Sequence, residues 1–156
     1  MGQNMMAAGD NDDAIRLGPL EDLVGYHMRR ASAVVGADFA RAVSGTGMRQ
    51  VLVGILSIIA ANPGINQGMV GRALNIQRAN MVSLVNELVD AGLVTREVSA
   101  EDRRAFTFTL TDRGRTTLDD ALVRIRDHEE RLLGSMSAQE RATLLDLLSR
   151  IEARGD

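Results

Sequence analysis

The hydrophobic pattern of this chain changes from a helical period to a strand period just after Gly92. Before that glycine, the segment QRANMVSLVNELVDAG has apolar residues every three or four positions, which predicts an amphipathic helix with Gly92 at its C-terminal cap. The inward stripe of this helix is predicted to comprise Met81, Leu84, Val85 and Leu88. After the glycine, LVTREV is β-prone and FTFTL alternates, so that Phe106, Phe108 and Leu110 are predicted to face inward. This order of patterns predicts a short β-hairpin directly after a helix.

A shorter helical segment, NQGMVGRAL, comes before this helix, and Asn66 is predicted to cap its N-terminus. Asn75 and Ile76 separate the two helices, which predicts a tight turn between them. A helix-turn-helix followed directly by a β-hairpin is the sequence form of a winged helix. The sequence therefore predicts a mainly α fold, α+β by strict count, with a winged helix-turn-helix over residues 48–111 that carries a two-stranded β-wing.

Two further helices are predicted before this unit. The segment LGP puts Pro19 at a helix start, and an apolar stripe continues from Leu20 to about Val43. The next segment, from Met48 to about Ala61, is apolar almost all round, so it is predicted to be buried on most sides.

Two more helices are predicted after the hairpin. Thr111 is predicted to cap a long helix that ends near Leu133. Ser137 and Glu140 then have the spacing of a capping box, which predicts the start of a last helix.

The outer helices have wide apolar stripes that one copy of the winged helix cannot cover. Two copies can, so the helices over 19–43 and 112–154 are predicted to interleave across a two-fold axis as a homodimer. Residues 1–16 are small, polar and acidic and are expected to be a flexible tail. The remaining residues, 17–156, are expected to form a single domain.

Composition narrows the function classes. The 156-residue chain has no Cys, which excludes disulfides and thiolate metal sites, and its 18 basic residues are all Arg. No apolar run reaches the roughly 18 residues that a membrane span needs, so no membrane partner is expected and a cytoplasmic location is the simplest interpretation. With two His and no phosphate-binding glycine loop, nothing in the sequence carries catalysis, and no cofactor is expected.

The outer face of the second short helix carries side chains that can pair with nucleic-acid bases. Amide and guanidinium groups over the first two turns of a helix fit the major groove, which admits a helix and displays donors and acceptors. The candidate DNA contacts of the helix-turn-helix are Asn66, Gln67, Gln77, Arg78, Asn80 and Ser83. A face that is simply solvated is the alternative, but its position before a hairpin favours double-stranded DNA as the partner.

The predicted hairpin tip carries Asp102, Arg103 and Arg104. An arginine on a thin two-stranded projection can reach the neighbouring minor groove, where the negative potential is concentrated. DNA would repel Asp102, so this carboxylate is predicted to brace Arg104 through a charge-assisted hydrogen bond. The alternative is an exposed ion pair that contributes almost nothing.

The segment ILSIIAANPGINQGMVGRALNIQRANMVSLVNELVDAGLVTREVSAEDRRAFTFTLTDRG resembles the MarR family of bacterial transcription regulators. The likeness in helix order covers nearly the whole chain after the tail. Its most specific part is GLVTREVSAEDRRAFTFTLTDRG, which is similar to the family's GLV-x-R, a wing bearing D-x-R, and L-T-x-x-G. The resemblance implies a winged-helix homodimer that binds a pseudo-palindromic operator and usually represses, with a small molecule releasing it.

The chain departs from the family pattern within the helix-turn-helix. Ser83 stands where a basic residue is common, and Asn86 with Glu87 stands where an acid–base pair is usual. Arg78, Arg103 and Arg104 are therefore expected to supply more of the affinity for DNA. Gly68 and Gly71 each cost about 1 kcal/mol of helix propensity relative to Ala. These glycines indicate either close packing or a soft helix.

The resemblance also implies an effector crevice between the dimerisation helices and the winged helix. The candidate ligand contacts are Tyr26, His27, Arg29, Arg30 and Met48. If the two arginines attract an anion, the effector is an anionic aromatic or acyl compound, and coenzyme A thioesters belong to this class. A histidine satisfied in the core and a solvated pair of arginines are the alternatives.

Two other functions stay open from the sequence. A winged helix can serve as a protein-interaction module that binds no specific DNA. A metal-responsive regulator could use His27 or His128 with acids such as Glu129. Neither histidine has a recognisable ligand spacing, so no metal site is predicted.

Overall fold

A computed structural model describes residues 15–99 and 105–154 of the chain. Two compact units make up the chain, Met1–Val34 and Val35–Asp156. The predicted tail, residues 1–16, lies outside the described residues except for Ile15 and Arg16. That residues 17–156 form one domain stays a prediction.

The described residues form six α-helices, three β-strands and one short 3₁₀ helix. The helices are α1 (Val24–Ala42), α2 (Gln50–Ala61), α3 (Gln67–Ala73), α4 (Arg78–Asp90), α5 (Asp112–Leu133) and α6 (Ala138–Glu152). The strands are β1 (Ile65–Asn66), β2 (Val94–Val98) and β3 (Phe106–Leu110). The predicted order of a helix-turn-helix, a hairpin and long flanking helices is confirmed.

The first long helix begins later than the sequence predicts. The predicted start is a 3₁₀ helix, Gly18–Leu20, and α1 begins at Val24. The 3₁₀ turn closes because the backbone N–H of Glu21 donates to the carbonyl of Gly18 at 3.0 Å, while the Glu21 carboxylate accepts from the N–H of Leu17 at 3.0 Å. These hydrogen bonds close a single short turn and do not continue into an α-helix.

The second helix also begins two residues later than predicted, at Gln50 instead of Met48. Arg49 is extended, with φ −126° and ψ 155°, and the Met48 N–H donates to the hydroxyl of Thr46 at 3.1 Å. The predicted burial of this helix is confirmed. Its buried residues are Leu52, Val53, Ile55, Leu56 and Ile59.

The sheet has three antiparallel strands in the order β1-β3-β2. The predicted two-stranded hairpin is present, and a third strand that was not predicted pairs with it. The hairpin strands β2 and β3 pair along their full length. The additional strand, β1, pairs Ile65 with Phe108, and the N–H of Gly64 donates to the Phe108 carbonyl at 2.9 Å. The base of the wing is thereby joined to the residues that lead into α3.

Phe106 does not face the core as the alternation predicts. Phe108 and Leu110 are buried, but Phe106 is 46% exposed. Phe106 pairs with Val98 at the end of the described ladder. Its ring instead lies under the guanidinium of Arg96, whose central carbon is 5.0 Å from the ring centroid.

The core lies in the second unit, between α2, α4, α5 and the sheet. Met81, Val85 and Leu88 are buried on α4, and Leu84 is half-buried beside them, which confirms the predicted inward stripe. Phe108 is a large side chain buried at the centre of this cluster. The outward face of α4 is thus fixed by the burial of its opposite face.

Three predicted caps are confirmed. Gly92 has φ +69°, the left-handed conformation that ends α4. The Thr111 hydroxyl accepts from the N–H of Gly114 at 2.9 Å and donates to the carbonyl of Gly92 at 2.8 Å. Ser137 and Glu140 form both halves of a capping box at the start of α6.

No helix in the described ranges combines the length and the apolar character that crossing a membrane requires.

Candidate nucleic-acid interface

The turn between α3 and α4 is tight and well bonded. Asn66 caps α3, since its side chain accepts from the N–H of Met69 at 3.0 Å. Asn75 takes a left-handed φ of 50°, and the N–H of Ile76 then donates to the carbonyl of Gly71 at 2.8 Å. A Cβ on Gly71 would lie 3.2 Å from the carbonyl oxygen of Ile76, so close packing explains this glycine.

An open groove of about 1150 Å³ lies between the helix-turn-helix and the start of β3, at Ala105 and Phe106. Four predicted DNA contacts line it, namely Asn66, Gln67, Gln77 and Arg78. Side chains that the sequence analysis did not select also line it, among them Arg72, Val82 and Phe106. The structure therefore brings side chains from α3, α4 and β3 together around one groove.

Asn80 and Ser83 are exposed on α4 but are not part of the groove lining. The Ser83 hydroxyl donates to the backbone carbonyl of Asn80 at 2.9 Å. This bond leaves the oxygen of Ser83 able to accept from a base. Both residues stay predictions as DNA contacts.

The predicted wing residues Asp102, Arg103 and Arg104 lie outside the described residues. The described wing extends to Ser99 on one side and Ala105 on the other, where the Ser99 N–H donates to the Ala105 carbonyl at 2.9 Å.

Arg96 connects the wing to α4, a contact that was not predicted from the sequence. Its guanidinium donates to the side-chain oxygen of Asn86 on α4 at 3.0 Å and lies over the ring of Phe106. Arg96 is the arginine of the GLV-x-R motif, so the motif was the available signal. Arg96 thus contacts both α4 and β3 from its position on β2.

A second link holds α4 from the other side. Arg49, at the N-terminal end of α2, forms an ion pair with Glu87 on α4. Asn86 thus bonds to Arg96, and the adjacent Glu87 pairs with Arg49. Each of them bonds to a different neighbouring element.

Four candidate ligand residues lie in the first unit. The guanidinium carbons of Arg29 and Arg30 are 5.6 and 5.8 Å from the centroid of the Tyr26 ring. His27 is exposed rather than part of a core, and its Nε2–H donates to the backbone carbonyl of Glu21 at 2.8 Å. This unit therefore gathers an aromatic ring and two cations on one helical segment.

The fifth candidate, Met48, lies in the second unit and lines a crevice of about 470 Å³. The crevice is formed by the end of α1 and the start of α2, and its apolar lining includes Phe39 and Val43. Arg49 supplies a cation at its edge.

A buried histidine–carboxylate pair lies in the same unit. His128 on α5 is 1% exposed, and its Nδ1 bonds to the carboxylate of Asp38, which also pairs with Arg41. The hydrogen bonds from His128 and then Arg41 lower the pKa of Asp38 below its ordinary value of 3.8. In the described part of the chain no three His, Cys, Asp or Glu residues come together as a metal site.

The chain is similar in sequence to bacterial transcription regulators. Residues 50–105, from α2 to the last residue before β3, match the sequence profile of the MarR family. A transcriptional regulatory protein for the hcr operon of Thauera aromatica is 32% identical over 144 residues. That alignment covers 90% of this chain and 87% of the relative.

The fold is similar to that of the transcriptional repressor CouR in two solved complexes. CouR bound to a 23-mer DNA duplex superposes with a TM-score of 0.84 at 34% identity, covering 88% of this chain and 98% of CouR. CouR bound to p-coumaroyl-CoA superposes with a TM-score of 0.78 at 33% identity, covering 88% and 97%.

Proposed function

Because the chain belongs to the MarR family of DNA-binding transcription regulators, we propose that it is a homodimeric repressor of a pseudo-palindromic operator. A small anionic aromatic or acyl ligand, a coenzyme A thioester among them, releases it from DNA. The observation that carries this proposal is the groove that Gln77 and Arg78, at the start of α4, line together with Phe106 of the wing.

The groove favours DNA because its polar groups match those of a duplex. Arg72 and Arg78 bring two guanidinium groups to one wall, and such groups pair with phosphates or with the acceptors of guanine. Gln77 and Asn66 add amides that can donate and accept, although Asn66 uses its oxygen to cap α3. A duplex can therefore meet charge and base-reading groups on the same surface.

Arg103 and Arg104 are proposed to enter the minor groove beside the site bound by α4. Arg96 supports this arrangement, since it ties β2 to α4 and so fixes where the hairpin points. Asp102 keeps its proposed role of bracing Arg104.

Helices with uncovered apolar faces support the homodimer. The 15 residues of α6 include none that is buried, although Leu145, Leu147 and Ile151 are large and apolar. The 19 residues of α1 also include none that is buried. Amphipathic helices gain most of their stability by packing their apolar face, so each of these faces needs a partner. Pairing across a two-fold axis would set two copies of α4 about one DNA turn apart.

The effector class rests on the candidate residues and on similarity. Arg29 and Arg30 provide positive charge beside the ring of Tyr26, and Met48 lines an apolar crevice. The similar repressor CouR binds p-coumaroyl-CoA, which is an anionic acyl compound with an aromatic ring.

Fluorescence anisotropy with a labelled duplex from the DNA flanking the protein's own gene tests the DNA function. We expect binding over bulk competitor that weakens steeply with salt, because phosphate contacts release counterions. Arg78→Ala should weaken binding about tenfold, within the range for an arginine that contacts bases. Arg124→Ala, an exposed arginine of α5 outside the groove lining, is the matched control and should bind as the wild type does. No preference for any fragment would contradict the proposal.

Calorimetry tests the effector separately. Titration with p-coumaroyl-CoA should give heat and should release the labelled duplex, whereas coenzyme A without the acyl group should do so less well. If no aromatic acid or acyl coenzyme A gives heat, the ligand class is wrong and the DNA function is unaffected.

The alternative functions make different predictions. A protein-interaction module would be indifferent to salt and to Arg104→Ala. A metal-responsive regulator would change its DNA affinity when metal is added or chelated, which we do not expect.

A further inference from the structure

Val82 is an exposed apolar residue on the outer side of α4, where polar residues surround it. Its side chain is 45% exposed and lines the groove. Arg78 lies one turn before it, Asn86 one turn after it, and Ser83 beside it. The residues of α4 that pack into the core are Met81, Val85 and Leu88. Core packing therefore does not account for a valine at position 82.

Helix stability does not account for Val82 either. A β-branched residue at an exposed helical position is less favourable than Ala, Glu or Lys, because its χ1 freedom is reduced. Phe106 borders the same groove and is exposed to a similar degree. Ile76, Met81 and Ala105 also line the groove, but Val82 and Phe106 are the large apolar side chains of its lining that are well exposed. Exposed apolar side chains beside polar ones are typical of a surface that contacts a partner.

We propose that Val82 packs on the C5-methyl group of a thymine in the major groove and so makes the protein specific for an A·T pair at that position of each half-site. This inference rests on the proposed function, since it requires α4 to enter the groove. The thymine methyl is the apolar group that the major-groove edge of a base pair presents, and a valine can neither donate to bases nor pair with phosphates.

The placement of Val82 fits this role. Base contacts come from the first turns of a recognition helix, and Val82 is the fifth residue of α4, one turn after Arg78. A guanidinium and an apolar group would then read neighbouring base pairs by different chemistry. Because the two methyl groups of Val82 are held by a stiff χ1, little conformational entropy is lost on contact.

Replacement of thymine by deoxyuridine removes this methyl group and changes nothing else on the base. The operator is first selected from randomised duplexes with the full chain, and each thymine is then replaced singly. We expect one position in each half-site where the replacement weakens binding about fourfold, which corresponds to one buried methyl group.

Val82→Ser should abolish the difference between thymine and deoxyuridine at that position and leave the other positions unchanged. Val82→Thr, which keeps the shape and one methyl group, should retain part of the difference. Val98→Ser removes another exposed valine, which lies on β2 outside the groove lining and is 57% exposed against 45% for Val82, and it is the matched control. Thermal melting of each variant checks that it folds.

The outcomes separate this inference from the proposed function. If the protein selects an operator but no thymine is sensitive, or if the sensitivity persists in Val82→Ser, the role of Val82 is overturned and the DNA function stands. If no duplex is selected over bulk competitor, both are overturned.

Discussion

Gly114 lies in the first turn of α5, where the backbone passes the carbonyl group of Leu93. A Cβ on Gly114 would lie 1.9 Å from the Leu93 carbonyl oxygen and 2.9 Å from its carbon. The Leu93 carbonyl oxygen also accepts a hydrogen bond from the N–H of Thr111 at 3.1 Å, so this group cannot move aside without breaking that bond. The glycine of the L-T-x-x-G motif is therefore required by close packing between the wing and α5.

Gly114→Ala should lower the free energy of unfolding by about 3 kcal/mol, the upper end of the range for overpacking. Urea denaturation followed by circular dichroism measures this change. Gly25→Ala is the control, because nothing lies within 4 Å of a Cβ built there, and it should be neutral or slightly stabilising. Equal effects of the two substitutions would contradict the close contact.

The lowered pKa of Asp38 makes the stability of the fold depend on pH. Its pKa is lower in the folded chain because of hydrogen bonds from His128 and then Arg41. A group with a lowered folded pKa stabilises the protein above its unfolded pKa, and this stabilisation is lost as the pH falls through the folded pKa. Asp38→Asn should therefore reduce stability at neutral pH and flatten the loss of stability below about pH 5.

Unfolding measured from pH 7 down to pH 3 tests this prediction. The exposed Asp119→Asn on α5 removes the same charge without touching the buried pair, and it should keep the wild-type pH dependence. A parallel shift of the whole curve in Asp38→Asn, with no change of slope, would show that the pair does not titrate as expected.

At the residue scale, local bonds were predictable and distant ones were not. Asn66, Thr111 and Ser137 cap helices through partners three residues away, so their roles follow from spacing alone. Asp38 and His128 are 90 residues apart, and no periodicity relates them. The bond of His27 to Glu21 was not predictable for a related reason, because it depends on a 3₁₀ turn that the sequence pattern does not indicate, and its role as a ligand contact stays a prediction.

At the scale of elements, the relation between α4 and the wing depends on Arg96. Its guanidinium contacts Asn86 on α4 and the ring of Phe106 on β3, so one side chain bridges a helix and both strands of the hairpin. A wing that is already held against α4 in the free protein loses less conformational entropy when the protein binds DNA.

A double-mutant cycle tests this bridge. Arg96→Ala and Asn86→Ala should each weaken operator binding, and the double variant should be no worse than Arg96→Ala alone, because the two residues act through one contact. The expected coupling in binding is about 0.5 kcal/mol or more. Strictly additive losses would mean that each residue acts independently. Thr95→Ala, a neighbour on β2, is the control for loss of strand stability.

The elements themselves were largely predictable, because the helical stripes are long and the hairpin alternates. β1 was missed because it has two residues and follows NPG, which indicates a turn. Its pairing depends on the position of Phe108, more than 40 residues later. The predicted burial of Phe106 was wrong, because alternation assumes that the core extends along the whole strand.

At the scale of the whole molecule, the groove combines residues that the sequence could and could not identify. Gln77 and Arg78 were found because the helix-turn-helix has a recognisable order, and that order fixes which face of α4 is outward. Arg72 and Val82 were not selected, since only the folded chain brings α3, α4 and β3 around one space. The homodimer is an inference from the single chain, because it is supported only by apolar faces of α1 and α6 that the chain leaves uncovered.

Leu145→Glu on α6 tests the homodimer directly. Leu145 is 66% exposed in the single chain, so a charge there should hardly affect the fold of one copy, but it would be buried without a partner in the dimer. Sedimentation equilibrium should detect monomers at concentrations where the wild type is dimeric. Operator affinity should fall about 100-fold, because one copy of α4 can then contact only one half-site at a time. Thr143→Glu places the same charge on the polar side of α6 and should remain dimeric. If both variants stay dimeric and bind equally well, the second copy is held by another surface, and the uncovered face of α6 needs a different partner.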